Sequence, residues 1–596
     1  MFLCLKMIYR LRQLLIMKHR GIREQIMRKG ILFIFLAFAM MQAVAQTPAV
    51  DKNQRYYDIN KNIDIFNSVL RELDLFYVDS IEVNNLVQGT IGNMLTRLDP
   101  YTEYYAEENM GDLQFLTTGE YAGIGAIISY NNGRVVINEP YEGLPADKAG
   151  LKAGDSILSI DGEDMRKATV KQVSDKLKGT PGTLLKLTIQ RPGEKKQRTL
   201  SIEREKIEMD PITYAGMVDK GTGYLHYGSF TANSAARVKE TVTELKQQGA
   251  TSLIMDLRGN GGGILDEAVE VVNLFVPKGE EIVFTRGKVK QWDRSYHTQN
   301  QPLDEIIPIV VLIDTGSASA SEIVAGSLQD LDRAVIVGNR SFGKGLVQTP
   351  RDLPYGGNIK ITTSKYYIPS GRCIQALDYS HRNPDGSVAR VPDSLTNVFK
   401  TRSGREVRDG GGITPDITIA QETGGTIAFY LMTDNIIFDF VTGWMLENRE
   451  ITSPEKFRLP DADYDKFREF VKKRDFKYDQ LSERSLEQLR SIMEFEGYMD
   501  VASAEYKALE SKLQPDLDRD LELFKEEIRK MIESEIVQRR YYKKGVLIHQ
   551  LSGDPVFDKA LELLRNPGLY RSLLRPEPAN MPPAKEIKEK LKDQYS

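Results

Sequence analysis

Two short stretches carry side chains that could do covalent chemistry together. Ser317-Ala318-Ser319-Ala320-Ser321-Glu322-Ile323 sets three hydroxyls on a small-residue turn that leads into an apolar, helix-like run. Gly343-Lys344-Gly345-Leu346-Val347-Gln348 sets a lysine between two glycines, just after a strand-like run. A serine hydroxyl is a weak nucleophile until a base takes its proton, and a lysine held neutral can be that base. Lysine ordinarily titrates near ~10.4, so burial among neighbours such as Phe342 and Leu346 must lower it by roughly three pH units. These residue types point to a serine–lysine hydrolase, but on their own they do not choose among Ser317, Ser319 and Ser321.

The elements that must position these groups are legible around them. Pro308–Asp314 is an apolar run without alternation, which predicts a buried strand, and Thr315-Gly316 turns the chain toward the serines. Ser319 then falls near the start of a helix through Ile323, Val324 and Leu328, where the helix dipole favours negative charge. Upstream, Gly223–Phe230 and Thr251–Leu257 read as strands, and Ala235–Leu245 and Leu265–Phe275 as helices. Between the second strand and the second helix lies Arg258-Gly259-Asn260-Gly261-Gly262-Gly263, a turn whose backbone N–H groups can face a phosphate or a developing oxyanion. Gly338–Gly345 approaches the phosphate-loop pattern but ends on Gly345, which has no hydroxyl for Mg²⁺, and a strand-like run follows in place of the required helix. A Ser–His–Asp site has His226, His297, His381 and His549 to draw on, none of them in a triad motif.

Residues 116–205 differ in character. Tyr121-Ala122-Gly123-Ile124-Gly125-Ala126 precedes the strand-like Val135–Ile137, then Gly143-Leu144-Pro145-Ala146, Ala149-Gly150-Leu151, Gly154-Asp155 and Ile160-Asp161-Gly162. This string resembles a PDZ domain. The resemblance implies capture of a protein's C-terminal tail as an added strand, with its carboxylate on the backbone of Gly123, Ile124, Gly125 and Ala126. The bland alternative is a PDZ fold that only packs.

Four further strings, in order, resemble the C-terminal processing (tail-specific) serine proteases: Asp256–Gly262, Ser317–Ile323, Gly343–Gly345 with Gln348, and Tyr367–Arg372 with Ile374-Gln375. With the PDZ segment, the resemblance covers about residues 60–420. It implies Ser319 as nucleophile, three residues before Glu322, Lys344 as general base, and Gln348 as the neutral group that orients it. It places the oxyanion donors on the Gly262 amide and on Ala320, the residue after the serine. Cys373 falls inside the last string as a small side chain, not a second nucleophile. The implied enzyme is an endopeptidase acting on proteins with free C-terminal tails, without metal or cofactor. A PDZ scaffold with an inactive protease core is the rival.

At 596 residues the chain exceeds one core, and 41% hydrophobic with 28% charged residues is ordinary for a globular protein. A formal charge of −4 gives no footprint for nucleic acid. No Cys/His cluster has metal-ligand spacing. The expected architecture is multidomain α/β: a leader over 1–45, a helical N-terminal domain over 46–115, the β-rich PDZ domain with short helices over 116–205, an α/β protease core over 206–425, a helical C-terminal extension over 426–575 and a loose, proline-marked tail over 576–596. The basic Met27-Arg28-Lys29, the apolar Ile31–Met41 and Ala43-Val44-Ala45 read as a secretory signal, with Met17 or Met27 as the start. An uncleaved anchor is the alternative. Export to the periplasm or cell envelope is therefore expected. Peripheral membrane association and assembly of copies through the C-terminal helices are further expectations. No chemistry is assigned to 46–115.

Overall fold

The computed structural model describes residues 52–575, apart from 384–385, 421–423 and 475. The leader and the proline-marked tail lie outside the described residues. The chain divides into two compact units, Met1–Ile91 and Gly92–Ser596. The first contains the helix Lys52–Phe76, on which Ile63, Phe66 and Phe76 recur at helical spacing yet stay exposed. Among the described residues no helix is long and apolar enough to cross a membrane.

The second unit is built around a six-stranded sheet in the order Ile212–Asp219, Thr222–Tyr227, Ser252–Asp256, Ile309–Ile313, Val335–Gly338, Ile417–Thr418. The first pair is antiparallel and the others are parallel. Parallel strands need cover on both faces, which explains their unbroken apolar runs. In Ile309–Ile313, Ile309, Val311 and Ile313 point into one core and Val310 and Leu312 into another. The helices Ser234–Gln247, Leu265–Asn273 and Ala320–Asp330 close the first face.

The second face is closed from far along the chain. Val556, Phe557 and Leu561 of the helix Pro555–Arg565 pack on Tyr224, Ile254, Val310 and Val337. Burying such side chains contributes about 1.5–3 kcal/mol each. Asp554 caps this helix through the Val556 and Phe557 amides, and it also pairs with Arg258 at 2.6 Å. Arg258 in turn binds the buried Asp256, which accepts the Tyr224 hydroxyl at 2.9 Å. The end of the helical extension is thus part of the protease core and anchors the start of its glycine loop.

A second, antiparallel sheet holds Asn358–Tyr367, paired with Leu346–Asp352, Glu281–Gly287 and Glu103–Tyr105. The last strand comes from the stretch expected to be helical packing, and it joins the sheet that carries the lysine. The Asp99-Pro100 turn does not betray such a three-residue edge strand; its partner lies about 250 residues away in sequence, and only tertiary pairing creates it.

The PDZ barrel runs Ala126–Asn131, Arg134–Pro140, Ser156–Ile160, Leu184–Gln190, Arg198–Glu203, with the short Glu163–Asp164 beside it and Glu120–Gly123 paired to Glu205–Glu208. The helix Val170–Leu177 opens on a Thr169–Gln172 capping box. The helical domain after residue 426 has its own core, including Ile437, Phe440, Tyr464, Phe467 and Ile532. It holds the PDZ domain by side chains: Asp439 accepts from Asn131 at 2.8 Å and Asn132 at 3.0 Å, and the Tyr542 hydroxyl donates to Asp147 at 2.7 Å.

Candidate active site

Ser319 is the residue just before the helix Ala320–Asp330, and its backbone is strained, with φ 56° and ψ −114°. Such a conformation costs a non-glycine residue about 1–3 kcal/mol and persists only where surroundings enforce it. The enforcement is visible. The Ser319 N–H donates to Glu322 Oε2 at 2.8 Å, and the Ser319 carbonyl accepts from the Tyr366 hydroxyl at 3.2 Å. Its two neighbours are spent on structure: Ser317 Oγ donates to the Leu257 carbonyl and Ser321 Oγ to the Asn260 carbonyl, each at 2.8 Å.

Lys344 sits two residues before the strand Leu346–Asp352 and is fixed by the same two side chains. Glu322 accepts the N–H of Gly343 at 2.8 Å and of Lys344 at 2.9 Å, and also the Ser341 hydroxyl. Tyr366 shares its one hydroxyl proton between the Lys344 carbonyl, at 2.8 Å, and the Ser319 carbonyl. Glu322 and Tyr366 are both fully buried and together tie the backbone of the serine to that of the lysine. Burial pushes the Glu322 carboxyl up to about 7, against four donors that pull it down. Sequence reasoning used Glu322 only to count back to the serine. The signal it offered was a lone acid one turn into an otherwise small and apolar helix start. Tyr366 offered none.

The Lys344 side chain is half-buried, and among the described residues no carboxylate lies within ion-pair distance of it. Its ammonium stands 4.4 Å from the centre of the Tyr101 ring. Burial first, then the charge of Lys360, lowers its pKa from 10.5 to about 8. Gln348 lies on the adjoining strand, and its Nε2 donates to Thr362 Oγ1 at 3.1 Å. A Gln348–Lys344 hydrogen bond is not formed among the described residues.

Gly262 packs directly on the serine. A Cβ there would come within 2.6 Å of the Ala318 carbonyl oxygen, 2.8 Å of Ser319 Cβ and 2.9 Å of the Ala320 nitrogen, and its φ is +96°. Only glycine allows this approach. The Gly262 N–H, however, donates to Asn260 Oδ1 at 2.9 Å, whereas Ala320, as the first helical residue, has no acceptor for its N–H within the helix. Asn260 is buried and holds the Tyr227 carbonyl through Nδ2, a role that its place in a glycine-rich turn does not signal in the sequence.

In the PDZ domain, Gly123, Ile124, Gly125 and Ala126 line a groove of about 190 Å³ with Phe115, Tyr121, Ile128 and Leu177. Burial pushes the Tyr121 hydroxyl's pKa up to about 12, while the nearby backbone of Ala126 and Gly125 acts in the opposite direction. Phe115, from the helix Met110–Thr118, stacks edge-on against Tyr121 at 5.4 Å, so the groove has a wall from outside the PDZ barrel.

The other sequence candidates stand apart. His226 is half-buried on the strand Thr222–Tyr227 and burial lowers its pKa, His549 binds the Pro454 carbonyl and Glu533, and His381 pairs with Asp378 at the surface. No histidine bonds to the three serines among the described residues. Cys373 is a free thiol that burial makes less acidic. The loop at Lys344 runs into a strand, not the helix a phosphate loop needs. Among the described residues no group of acids, histidines and cysteines could hold a metal ion.

Comparison with known proteins agrees with this layout. Residues 221–381 match Peptidase family S41, residues 136–191 a PDZ domain, and residues 427–564 the C-terminal helical domain of a probable PDZ-protease. The carboxy-terminal-processing protease of Bartonella bacilliformis is 36% identical over 356 residues, which cover 59% of this chain and 81% of that protein. The carboxyl-terminal-processing protease of a Picosynechococcus species is 36% identical over 308 residues, 51% of this chain and 73% of that one. A solved structure, the photosystem II D1 C-terminal processing protease, aligns at 29% identity over 59% of this chain and 92% of its own, with a TM-score of 0.33. By its match to the family profile and to four fifths of a relative at 36% identity, this chain belongs to peptidase family S41, among the carboxy-terminal-processing serine proteases.

Proposed function

We propose that the protein cleaves other proteins near their C-terminal tails with a Ser319–Lys344 dyad, and that the PDZ groove selects those tails. The observation that carries this reading is the joint clamp of Glu322 and Tyr366. It fixes a strained serine and a lysine of lowered pKa relative to each other. In the proposed reaction, neutral Lys344 takes the Ser319 proton as Oγ attacks the peptide carbonyl. The ammonium so formed gives that proton to the leaving amine, and water then resolves the acyl-enzyme by the reverse sequence. Gln348 is the proposed orienting group. With Nε2 held by Thr362, its Oε1 is the atom left to accept from the ammonium, and a neutral partner does not raise the lysine's pKa as a carboxylate would.

The Ala320 amide is one oxyanion donor in this reading. The Gly262 amide becomes the second once it leaves Asn260, which requires a small rotation of the loop when substrate arrives. The tail's carboxylate would take the Gly125 and Ala126 amides, which line the groove beside Tyr121. Export is proposed on the basic, apolar and small-residue order of residues 27–45, with the cell envelope as the place of action. Assembly through the C-terminal helices draws support from the exposed Phe495 and Val501 on the paired helices Leu481–Glu496 and Met499–Leu513, with the exposed Tyr498 in the turn between them.

The test is a digest of a protein with an apolar C-terminal tail, followed by mass spectrometry, for wild type, Ser319→Ala and Lys344→Ala. Both variants are expected to lose cleavage. Equal cleavage by all three refutes the dyad and favours the scaffold reading only if no cleavage occurs at all. Tail capture is read separately, by fluorescence anisotropy of a labelled apolar peptide with a free or an amidated C-terminus. Equal affinity for the two refutes carboxylate recognition.

A further inference from the structure

We propose that the segment Asp99–Tyr105 is part of the catalytic apparatus: Tyr101 is the wall that keeps water from Lys344, and Thr102 sets, through Thr362, the side chain of Gln348. The proposal rests on the dyad reading above and adds positioning residues to it, from a stretch that lies outside the matched peptidase region, 221–381.

Four observations converge on this short segment. First, the Lys344 ammonium stands 4.4 Å from the centre of the Tyr101 ring. Second, the ring is held from behind by Tyr379, edge-on at 6.1 Å with the two hydroxyls 3.4 Å apart. Third, the backbone is fixed by the buried Asp99, whose Oδ1 accepts the N–H of Tyr101 and of Thr102, each at 2.8 Å. Fourth, Thr102 Oγ1 donates to Asp99 Oδ2 at 3.0 Å and accepts the Thr362 N–H at 3.2 Å, and Thr362 Oγ1 holds the Gln348 amide. A surface turn needs no such buried network, and its two outputs are the base and its proposed orienting partner.

The ring acts on Lys344 in two opposed ways. Its π face favours the charged ammonium. Its bulk excludes water and favours the neutral amine, which a general base requires. Burial is the leading cause of the lowered pKa, and the proposal is that the ring's share in that burial outweighs its attraction for the charge. The charge of Lys360 acts in the same direction, while Glu103, Glu322 and Asp99 act against it. Lys360 is itself paired with Glu103 of the same segment, on the strand Glu103–Tyr105.

The wall is tested by titrating Lys344 directly. The full chain carrying Ser319→Ala, which prevents self-cleavage, is labelled with acetic anhydride over a pH series, and acetylation of Lys344 is read by peptide mass spectrometry. Tyr101→Phe keeps the wall and is expected to leave the midpoint in place. Tyr101→Ala admits water and is expected to raise the midpoint by about one pH unit, a roughly tenfold loss of neutral lysine at pH 7. Tyr101→Leu, which keeps part of the apolar bulk, is expected to shift it by about threefold in the same sense, and it decides the matter should the alanine variant not fold. Folding is checked by hydrogen exchange over the strand Asn358–Tyr367. In the active enzyme, the acid limb of kcat/KM should move with the labelling midpoint, whereas a merely structural defect lowers kcat/KM equally at every pH. Thr102→Val should lower kcat at unchanged KM without moving the midpoint. An unchanged midpoint in both Tyr101→Ala and Tyr101→Leu overturns the proposal, as does a shift in Tyr101→Phe as large as in Tyr101→Ala. Because labelling does not depend on turnover, it decides the wall even where Lys344→Ala retains cleavage and the dyad itself fails.

Discussion

Replacing Lys344 by methionine removes a charge that the fold holds in a place hostile to it. The lysine titrates at 10.5 in an unfolded chain and at about 8 in its half-buried position. The folded-state value is lowered, so the unfolded chain binds more protons between these two values and stability rises with pH across that window. Below pH 8 the lysine is charged in both states, and the full difference, roughly 3 kcal/mol, stands against folding. Methionine has similar reach and no charge. In a Ser319→Ala background, Lys344→Met is therefore expected to stabilise the protease core by about 2–3 kcal/mol at pH 7, less whatever the lysine gains from the Tyr101 ring. The gain should fade as pH rises from about 8 and vanish above 10.5, where both states of the parent are neutral. Several cores make a single unfolding curve a poor reporter, so the readout is hydrogen exchange of Ile309–Ile313, whose amides open only when the central sheet does. At pH 7 exchange should slow by roughly a hundredfold, taking 1.4 kcal/mol per factor of ten. Unchanged exchange at pH 7, or an equal gain at pH 7 and pH 10, would refute the claim that burial keeps this lysine poised. Activity should be lost throughout, a case of stability given up for function.

Three further outcomes follow from the clamp and the loop. Glu322→Ala leaves four donors around a buried void, and the core should lose about 3–5 kcal/mol with a collapse of kcat, as judged by the same exchange experiment and by peptide turnover. Ser319→Gly should be more stable than Ser319→Ala by about 1–2 kcal/mol, because glycine accepts the positive φ that alanine cannot, and equal midpoints in thermal unfolding would show the strain to be absent. Gly262→Ala forces its methyl group against Ala318, Ser319 and Ala320, so it should cut kcat at least tenfold while tail-peptide binding at the PDZ groove stays unchanged; an active variant would show that the loop need not touch the serine.

Much of the fold was legible because its strands are buried on both faces. The runs at 252–256, 309–313 and 335–338 announce themselves by unbroken apolar content, and the glycine loop and serine helix follow from the turns between them. The second cover for the sheet was not legible. Pro555–Arg565 reads as one amphipathic helix among many, and nothing local says that Phe557 meets Tyr224. The segment 99–105 was invisible for the same reason, since its pairing to Lys360 and its ring contact with Lys344 link residues more than 240 positions apart.

The sequence by itself determined the chemistry on offer: a serine on a small-residue turn before a helix, a lysine between glycines, a glycine loop to approach them, and a PDZ string ahead of them. These are local facts, set by residue type and spacing. Only the tertiary structure decided which groups hold the serine and lysine in place. Glu322 and Tyr366 reach both because four backbone N–H and C=O groups from two loops converge on one buried point. It also decided that Gly262 offers its N–H to Asn260, and that the lysine meets an aromatic ring from a segment more than 240 residues away in sequence. Desolvation and convergence are properties of surroundings, and surroundings exist only once the chain has folded.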